Sequence, residues 1–208
     1  MNSTFAAFAT TATLAILSAG PASAFGLNSA SQRDREYVAA YAPSATPDEN
    51  YDLGRQYPTT TRAVVADPTS EAPGTITVDT ENRYLYLSMQ GGQAMRYDVG
   101  VGREGFEWSG NARIGRMAEW PAWTPPSAML KRRPDLPRHM AGGLDNPLGA
   151  RAMYLYSGAR DTMFRIHGSN EPWTIGQAVS SGCIRMLNAD VEDLYSRVRV
   201  GTKVVVLR

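Results

Sequence analysis

The sequence is poor in the residues from which disulfides and zinc sites are built. Cys183 is the only cysteine among 208 residues, and His139 and His167 are the only histidines. A single thiol excludes an intramolecular disulfide, and this set cannot supply a multi-cysteine zinc site. We therefore expect neither a bound metal nor a cofactor.

An excess of one charge sign is also missing. Lys and Arg number 21 against 20 Asp and Glu, which gives a formal net charge of +1. A domain that binds nucleic acid ordinarily presents a basic surface. Nucleic acid is therefore not an expected partner.

Long hydrophobic runs are scarce beyond the N-terminus. Residues 1–24 pass through an apolar stretch and end in Ala22-Ser23-Ala24, which is typical of a signal-peptide cleavage site, although they contain no Lys or Arg. The stretch is shorter than the roughly 20 residues of a membrane span. We predict a signal peptide over 1–24, export, and no membrane span.

Residues 25–73 show no sustained hydrophobic periodicity. Prolines recur among Ser, Thr, Asp and Glu, at positions 43, 47, 58, 68 and 73. This composition predicts a Pro-rich flexible tether. The pattern changes at Gly74, so residues 74–208 are assigned to the folded domain.

The folded domain is predicted to be mainly β, because runs of β-branched and aromatic residues recur between turn signals. The predicted strands cover residues 75–78, 84–87, 94–101, 152–156, 163–166 and 203–207. One helix is predicted with Asn188 as its N-cap and Gly201 just beyond its end. The segment from Glu119 to Pro147 is rich in Pro and Trp and predicts a long loop, which either lines a binding site or packs its tryptophans.

A glycine-rich segment, Gly100-Val101-Gly102-Arg103-Glu104-Gly105, matches the dinucleotide-binding pattern G-x-G-x-x-G. That pattern requires a helix directly afterwards, and the residues from Phe106 to Asn111 predict a loop instead. We interpret the segment as a turn beside the active site.

The chemistry is carried by His167-Gly168 and, further on, by Ser181-Gly182-Cys183-Ile184-Arg185. A thiol attacks as a thiolate, and a neighbouring imidazole can accept its proton. A nucleophile on a tight turn permitted by Gly182 offers backbone N–H groups for an oxyanion hole. His139 is the other histidine, but it stands among Pro and Gly and is interpreted as a surface-loop or substrate-contact residue.

The combined string resembles the signature of the L,D-transpeptidase (YkuD-like) family, in which a His-Gly pair precedes Ser-x-Gly-Cys-x-Arg. The resemblance runs from about Gly74 to Arg208. It implies an L,D-transpeptidase-like β-sandwich or mixed sheet, with one helix near the C-terminus and the long Pro/Trp loop. Ser181 stands where many family members have a second histidine, so no role of that histidine is transferred.

The resemblance also implies the reaction and the roles in it. Cys183 would be acylated by the third residue of a peptidoglycan stem tetrapeptide, releasing D-alanine, and would pass the acyl group to an amine in the periplasm. His167 would act as base, with the Gly168 carbonyl orienting it, and the N–H groups of Gly182 and Cys183 would form the oxyanion hole.

Substrate contacts are assigned to Arg185, Ser181 and Trp123, with an equal alternative that Arg185 braces its loop through a salt bridge. Stem peptides are the expected partners, and outer-membrane proteins are candidate acyl acceptors. Three alternatives stay open: an L,D-carboxypeptidase or endopeptidase that passes the acyl group to water, a non-catalytic wall-binding module, and a secreted cysteine protease.

Overall fold

The computed structural model describes residues 57–208, so the predicted signal peptide and tether residues 25–56 lie outside the described residues. The strands are β1 (Ala63–Ala66), β2 (Ile76–Asp79), β3 (Tyr84–Ser88), β4 (Gln93–Asp98), β5 (Val101–Gly102), β6 (Gly110–Glu119), β7 (Arg151–Ser157), β8 (Arg160–His167), β9 (Ala178–Ser180), β10 (Ile184–Arg185) and β11 (Lys203–Leu207). The helices are α1 (Ser127–Arg132), α2 (Asn188–Arg197) and a 3-10 turn (Pro172–Thr174).

A nine-stranded mixed sheet forms the body of this part of the chain, in the order β1-β4-β3-β2-β11-β6-β7-β8-β10. Most neighbours are antiparallel, whereas β11 runs parallel to β2 and β10 parallel to β8. β5 and β9 form a separate parallel pair. The mainly β mixed-sheet prediction is confirmed.

The core lies between one face of this sheet and α2. Alternate residues of the strands are buried and meet Val191 and Leu194 of the helix, as expected for strands whose side chains point to opposite faces in turn. The buried strand residues include Ile76, Val78, Leu85, Ile114, Met153, Leu155, Ile166 and Val204. β6 was missed from the sequence because its run of Gly, Asn, Ala and Arg has weak strand propensity.

β1 corrects the predicted tether. Residues 63–66 pair antiparallel with β4 at the edge of the sheet, with Ala63 opposite Arg96. Just before β1, the Thr61 N–H and hydroxyl donate to the Asp190 carboxylate at 2.9 and 2.7 Å, and Arg62 forms a salt bridge with Asp193 at 2.9 Å. The folded part therefore includes residues before Gly74, because backbone pairing and these contacts to α2 hold them.

The start of α2 also differs from the prediction. Leu187 takes the N-cap position, and Asn188 is the first helical residue. The Asn188 side-chain oxygen accepts the Ala150 N–H at 2.9 Å instead of an N–H of its own helix. Asn188 therefore ties the helix to the start of β7.

The Pro/Trp segment is held together by one buried amide. The Asn146 side-chain nitrogen donates to the Pro121 and Ala141 carbonyls at 3.1 and 2.9 Å, and its oxygen accepts the Leu148 N–H at 2.9 Å. The segment also contains α1, which had not been predicted. None of the helices within residues 57–208 is long and apolar enough to cross a membrane.

Candidate active site

Parallel pairing of β8 with β10 brings the two predicted catalytic residues together. His167, the last residue of β8, is opposite Arg185, and Cys183 immediately precedes β10. Because side chains alternate along a strand, Arg185 projects on the same face as His167 and Arg165, and the Cys183 thiol lies within hydrogen-bond reach of the Arg165 backbone. The charges of Arg165 and Arg185 act on both the imidazole and the thiol, which agrees with this arrangement.

The hydrogen bond of His167 defines its tautomer. Its Nδ1 lies 2.5 Å from the Gly168 carbonyl oxygen. A carbonyl oxygen only accepts, so Nδ1 carries the proton and Nε2 of the neutral ring has a free lone pair. Burial, together with the charges of Arg185 and Arg165, lowers the pKa of His167 to about 4, against the opposing effect of the Gly168 bond. At neutral pH the imidazole is therefore an uncharged base.

The thiol is also uncharged at rest. Burial raises the pKa of the Cys183 thiol, while a backbone hydrogen bond from Arg165 and the charges of Arg165 and Arg185 lower it less strongly. The resting site therefore holds a neutral thiol and a neutral imidazole rather than a preformed ion pair. Such a site activates sulfur by transferring its proton during attack.

Position 182 in the turn before Cys183 accepts glycine because there is no room for a side chain. Its φ is +105°, and an added Cβ would lie 2.4 Å from the Phe164 ring. Phe164 stacks on Trp108 with ring centroids 4.6 Å apart, and the Trp108 indole N–H donates to the Gly182 carbonyl at 3.1 Å. The aromatic pair thus fixes the turn that carries Cys183.

Ser180 is a site residue that the sequence analysis missed. Its hydroxyl accepts the Gly182 N–H at 3.1 Å and donates to the Cys183 carbonyl at 2.6 Å. The Gly182 N–H is therefore engaged, and its predicted use in an oxyanion hole requires this bond to open or to be shared. A serine three residues before a nucleophile is the signal that could have pointed to it.

Arg185 braces its loop. Its Nη1 lies 2.6 Å from the Glu171 carboxylate and 3.3 Å from the Thr174 hydroxyl, and the two charged side chains are largely buried. Of the two roles predicted for Arg185, the structure shows the salt bridge. The guanidinium is thereby committed to a protein carboxylate.

The other predicted contacts stay predictions. Ser181 is half-buried within the nucleophile turn. Trp123 is bridged through its backbone to Met140 at 2.8 Å in both directions, within the Pro/Trp segment. His139 is exposed in that segment, with Nδ1 3.4 Å from the Thr124 hydroxyl. No cluster of His, Cys, Asp or Glu that could hold a metal occurs within residues 57–208.

The glycine-rich segment borders the nucleophile turn, as its interpretation from sequence proposed. Gly100 exchanges backbone hydrogen bonds with Arg185 at 2.9 and 2.8 Å. A Cβ on Gly102 would lie 2.7 Å from the Phe106 carbonyl oxygen and 3.1 Å from the Gly182 Cα. These glycines allow backbones to approach closely, and residues 106–109 form no helix.

Comparison with known proteins points to one family. The family model YkuD, the L,D-transpeptidase catalytic domain, matches residues 73–206. Two Escherichia coli proteins named as probable L,D-transpeptidases are similar: ErfK/SrfK is 33% identical over 146 residues, covering 67% of this chain and 46% of its own length. YcfS is 31% identical over 147 residues, covering 67% and 45%. The chain thus spans about half the length of these curated relatives.

A solved structure from Brucella melitensis, described as a probable carnitine operon oxidoreductase, is 47% identical to this chain. It superposes with a TM-score of 0.50 and covers 72% of this chain and 95% of that one. Its name and the names of the curated relatives indicate different chemistries.

Proposed function

The chain belongs to the YkuD L,D-transpeptidase catalytic-domain family, and we propose that it transfers peptidoglycan stem peptides through an acyl-enzyme on Cys183. One observation supports this most directly: the Nδ1 proton of His167 is held by the Gly168 carbonyl, which leaves Nε2 as the basic nitrogen, and the pairing of β8 with β10 brings Cys183 next to this strand. A base with a fixed tautomer beside a thiol is the arrangement that nucleophilic catalysis requires.

In the proposed first step, the Cys183 sulfur attacks the carbonyl carbon of the third stem residue while His167 Nε2 takes the thiol proton. The imidazolium then gives that proton to the departing nitrogen, and D-alanine leaves with a neutral amine. In the second step Nε2 removes a proton from the acceptor amine as it attacks the thioester. Protonation of the sulfur restores the thiol, so no proton is gained or lost over the cycle.

The tetrahedral intermediates carry a negative oxygen, for which we propose the Cys183 N–H as a donor. The Gly182 N–H would join it when its bond to Ser180 is released. The charges of Arg165 and Arg185 favour negative charge at the sulfur. Preorganised donors and charges of this kind are commonly the largest contribution to catalysis of acyl transfer.

The proposed acyl-enzyme can lead to different products, depending on which acceptor takes the acyl group. An amine on a second stem peptide gives a 3-3 cross-link, and an amine on an outer-membrane protein attaches that protein to the wall. Water as acceptor makes the enzyme an L,D-carboxypeptidase or endopeptidase. Each acceptor uses the same acyl-enzyme, in the periplasm after removal of residues 1–24.

An oxidoreductase activity, as the name of the Brucella relative indicates, has less support. The glycine pattern that would hold a dinucleotide packs instead against Phe106 and the Gly182 backbone, and a loop rather than a helix follows it. A dinucleotide pyrophosphate binds at a helix N-terminus in that pattern. The histidine and thiol beside this segment favour acyl transfer.

Incubation with purified muropeptides tests the proposal, with products identified by mass spectrometry. Loss of D-alanine with formation of a dimer supports transfer, whereas loss with monomer alone supports hydrolysis. Cys183→Ala is the matched control and should give neither. Intact-mass measurement after carbapenem treatment should show one adduct per wild-type chain, because a thiolate can open the lactam. Folded wild type that reacts with an alkylating agent, but with neither muropeptides nor carbapenem, contradicts the proposal.

A further inference from the structure

Four neighbouring backbone segments place a row of side chains on the face that carries the nucleophile. Tyr154 on β7 is opposite Arg165 on β8, and Arg116 on β6 is opposite Tyr154. Cys183 follows on the far side of Arg165, one position before β10. Strands lie about 4.8 Å apart, so Tyr154 is two spacings, about 10 Å, from the cysteine backbone.

The row contains two guanidinium groups, and within the described part of the chain only one of them forms a salt bridge. Arg165 lies 4.4 Å from the centroid of the Tyr154 ring and forms a two-fold salt bridge with Asp161 at 2.7 and 2.9 Å. Arg116 lies 3.5 Å from the same centroid, is exposed, and takes part in no salt bridge within residues 57–208. The Asp161 carboxylate thus pairs directly with Arg165, whereas the charge of Arg116 acts on this carboxylate without forming a salt bridge.

A bulge in β6 determines the face of the sheet on which Arg116 lies. The pairing of β6 with β7 shifts register between Ile114 and Arg116, at Gly115. A Cβ on Gly115 would lie 2.3 Å from the Tyr156 ring, so the bulge tolerates only glycine here. Because the pairing passes over Gly115, Arg116 is opposite Tyr154 and its side chain lies on the same face of the sheet as that of Tyr154.

We propose that Arg116 binds the terminal carboxylate of the stem tetrapeptide, the carboxylate of the D-alanine that leaves. This inference rests on the proposed function. Arg185 had been the candidate from the sequence, but its guanidinium is already held in a salt bridge with Glu171. The Arg116 guanidinium lies over the Tyr154 ring, which restricts its position, and a guanidinium can bind a planar carboxylate in a two-fold manner.

The distances agree with this assignment. A sulfur poised for attack lies about 3–3.5 Å from the scissile carbonyl carbon. One residue, about 3.8 Å, separates that carbon from the terminal carboxylate, and a guanidinium pairs with a carboxylate at up to about 4 Å. Together these span about 11 Å. The Arg116 backbone lies three strand spacings, about 14 Å, from that of Cys183, but its guanidinium lies over the ring of Tyr154, whose strand is two spacings away. The arrangement selects donors with a free terminal carboxylate.

The experiment compares two donors, a stem tetrapeptide with a free C-terminus and the same peptide as its C-terminal amide. Arg116→Gln should lower kcat/KM about tenfold for the free acid and leave the amide little changed. Arg116→Lys should recover part of the loss. Arg113→Gln is the matched control, since Arg113 lies on the same strand and donates to the Gly201 carbonyl at 3.2 Å. Equal losses on both donors, or no loss, overturn the assignment.

A second measurement requires no transpeptidase activity. Iodoacetate is anionic and iodoacetamide neutral, and Cys183 is the only thiol. Arg116→Gln should lower the ratio of their alkylation rates severalfold, and Arg113→Gln should not. If the wild type turns over neither peptide, the proposed function is wrong. The ratio of the iodoacetate and iodoacetamide rates still tests whether Arg116 attracts an anion to the site. An unchanged ratio in Arg116→Gln overturns an anion site at this position.

Discussion

The Ser180 hydroxyl accepts the N–H of Gly182 at 3.1 Å, and so engages a group that the sequence had assigned to the oxyanion hole. The same hydroxyl donates to the Cys183 carbonyl, which closes a small ring of hydrogen bonds around the nucleophile. Ser180 is 2% exposed. It is therefore a positioning residue for the turn rather than a surface residue.

Ser180→Ala should slow acylation of Cys183 by about tenfold, because the loss of two hydrogen bonds of about 1 kcal/mol each that shape the turn outweighs the release of the Gly182 N–H. The rate of carbapenem adduct formation, followed by intact mass, measures this. Ser196→Ala is the control, since Ser196 also donates to a backbone carbonyl, that of Asp193, but lies on α2. Equal rates for Ser180→Ala and wild type would show that the turn holds its shape without the hydroxyl.

Gly182→Ala should abolish the proposed acyl transfer and lower the free energy of unfolding by several kcal/mol, because the new methyl group meets the Phe164 ring in addition to an unfavourable φ of +105°. Gly105→Ala is a matched control. Gly105 has a φ of +80°, with no atom within 4 Å of an added Cβ. It should cost only about 1 kcal/mol, and denaturant unfolding compares the two. Similar costs for both variants would mean that Phe164 moves aside easily.

The dependence of kcat/KM on pH should have its acid limb near pH 4 rather than near 6.5, because the pKa of buried His167 falls to about 4. The pKa of the unfolded histidine is about 6.5, so the folded state binds this proton less readily than the unfolded state does. The neutral imidazole thus contributes stability above about pH 6.5, and this contribution is lost as the pH falls towards 4.

Denaturant unfolding between pH 7 and pH 4 checks the stability part of this prediction. His167→Gln should reduce the slope of stability against pH in that range, since glutamine does not titrate. An acid limb of the wild-type rate near 6.5 would show that the imidazole is solvated in the working enzyme.

Cys183→Ala should abolish turnover and carbapenem labelling while the fold is retained, because a half-buried thiol at a turn leaves little empty volume when removed. Circular dichroism and the melting temperature report the fold, and muropeptide products report activity. Product formation by the alanine variant at the wild-type rate would exclude Cys183 as nucleophile.

A chain beginning at Gly74 should be less stable than one beginning at Tyr57, by about 2 kcal/mol or more. The shorter chain lacks β1 and the contacts from Thr61 to Asp190, and it leaves the Asp190 carboxylate, which is buried, without those donors. Unfolding of the two chains in urea measures the difference. If the two chains had equal midpoints and slopes of urea unfolding, residues 57–73 would add no stability, as the predicted tether implies.

A chemistry for the site could be proposed from the sequence because it depends on residue types at short spacing. One thiol, one His-Gly pair and a glycine before the thiol restrict what the site can do. The strands with β-branched residues were predicted for a similar reason, since alternation is a local pattern. β6 and β1 were missed because their pairing partners, rather than their own propensities, make them strands.

What the sequence by itself determined is therefore the mainly β class of the domain and the local motif on which Cys183 is proposed as nucleophile and His167 as its base, all properties of neighbouring residues. Only the tertiary structure decided that Arg185 forms a salt bridge with Glu171, that Asn188 bonds to Ala150, and that Arg116 is brought to the row that leads to Cys183. Those outcomes depend on which strands pair and in what register, and a shift of one residue would turn each strand side chain to the opposite face.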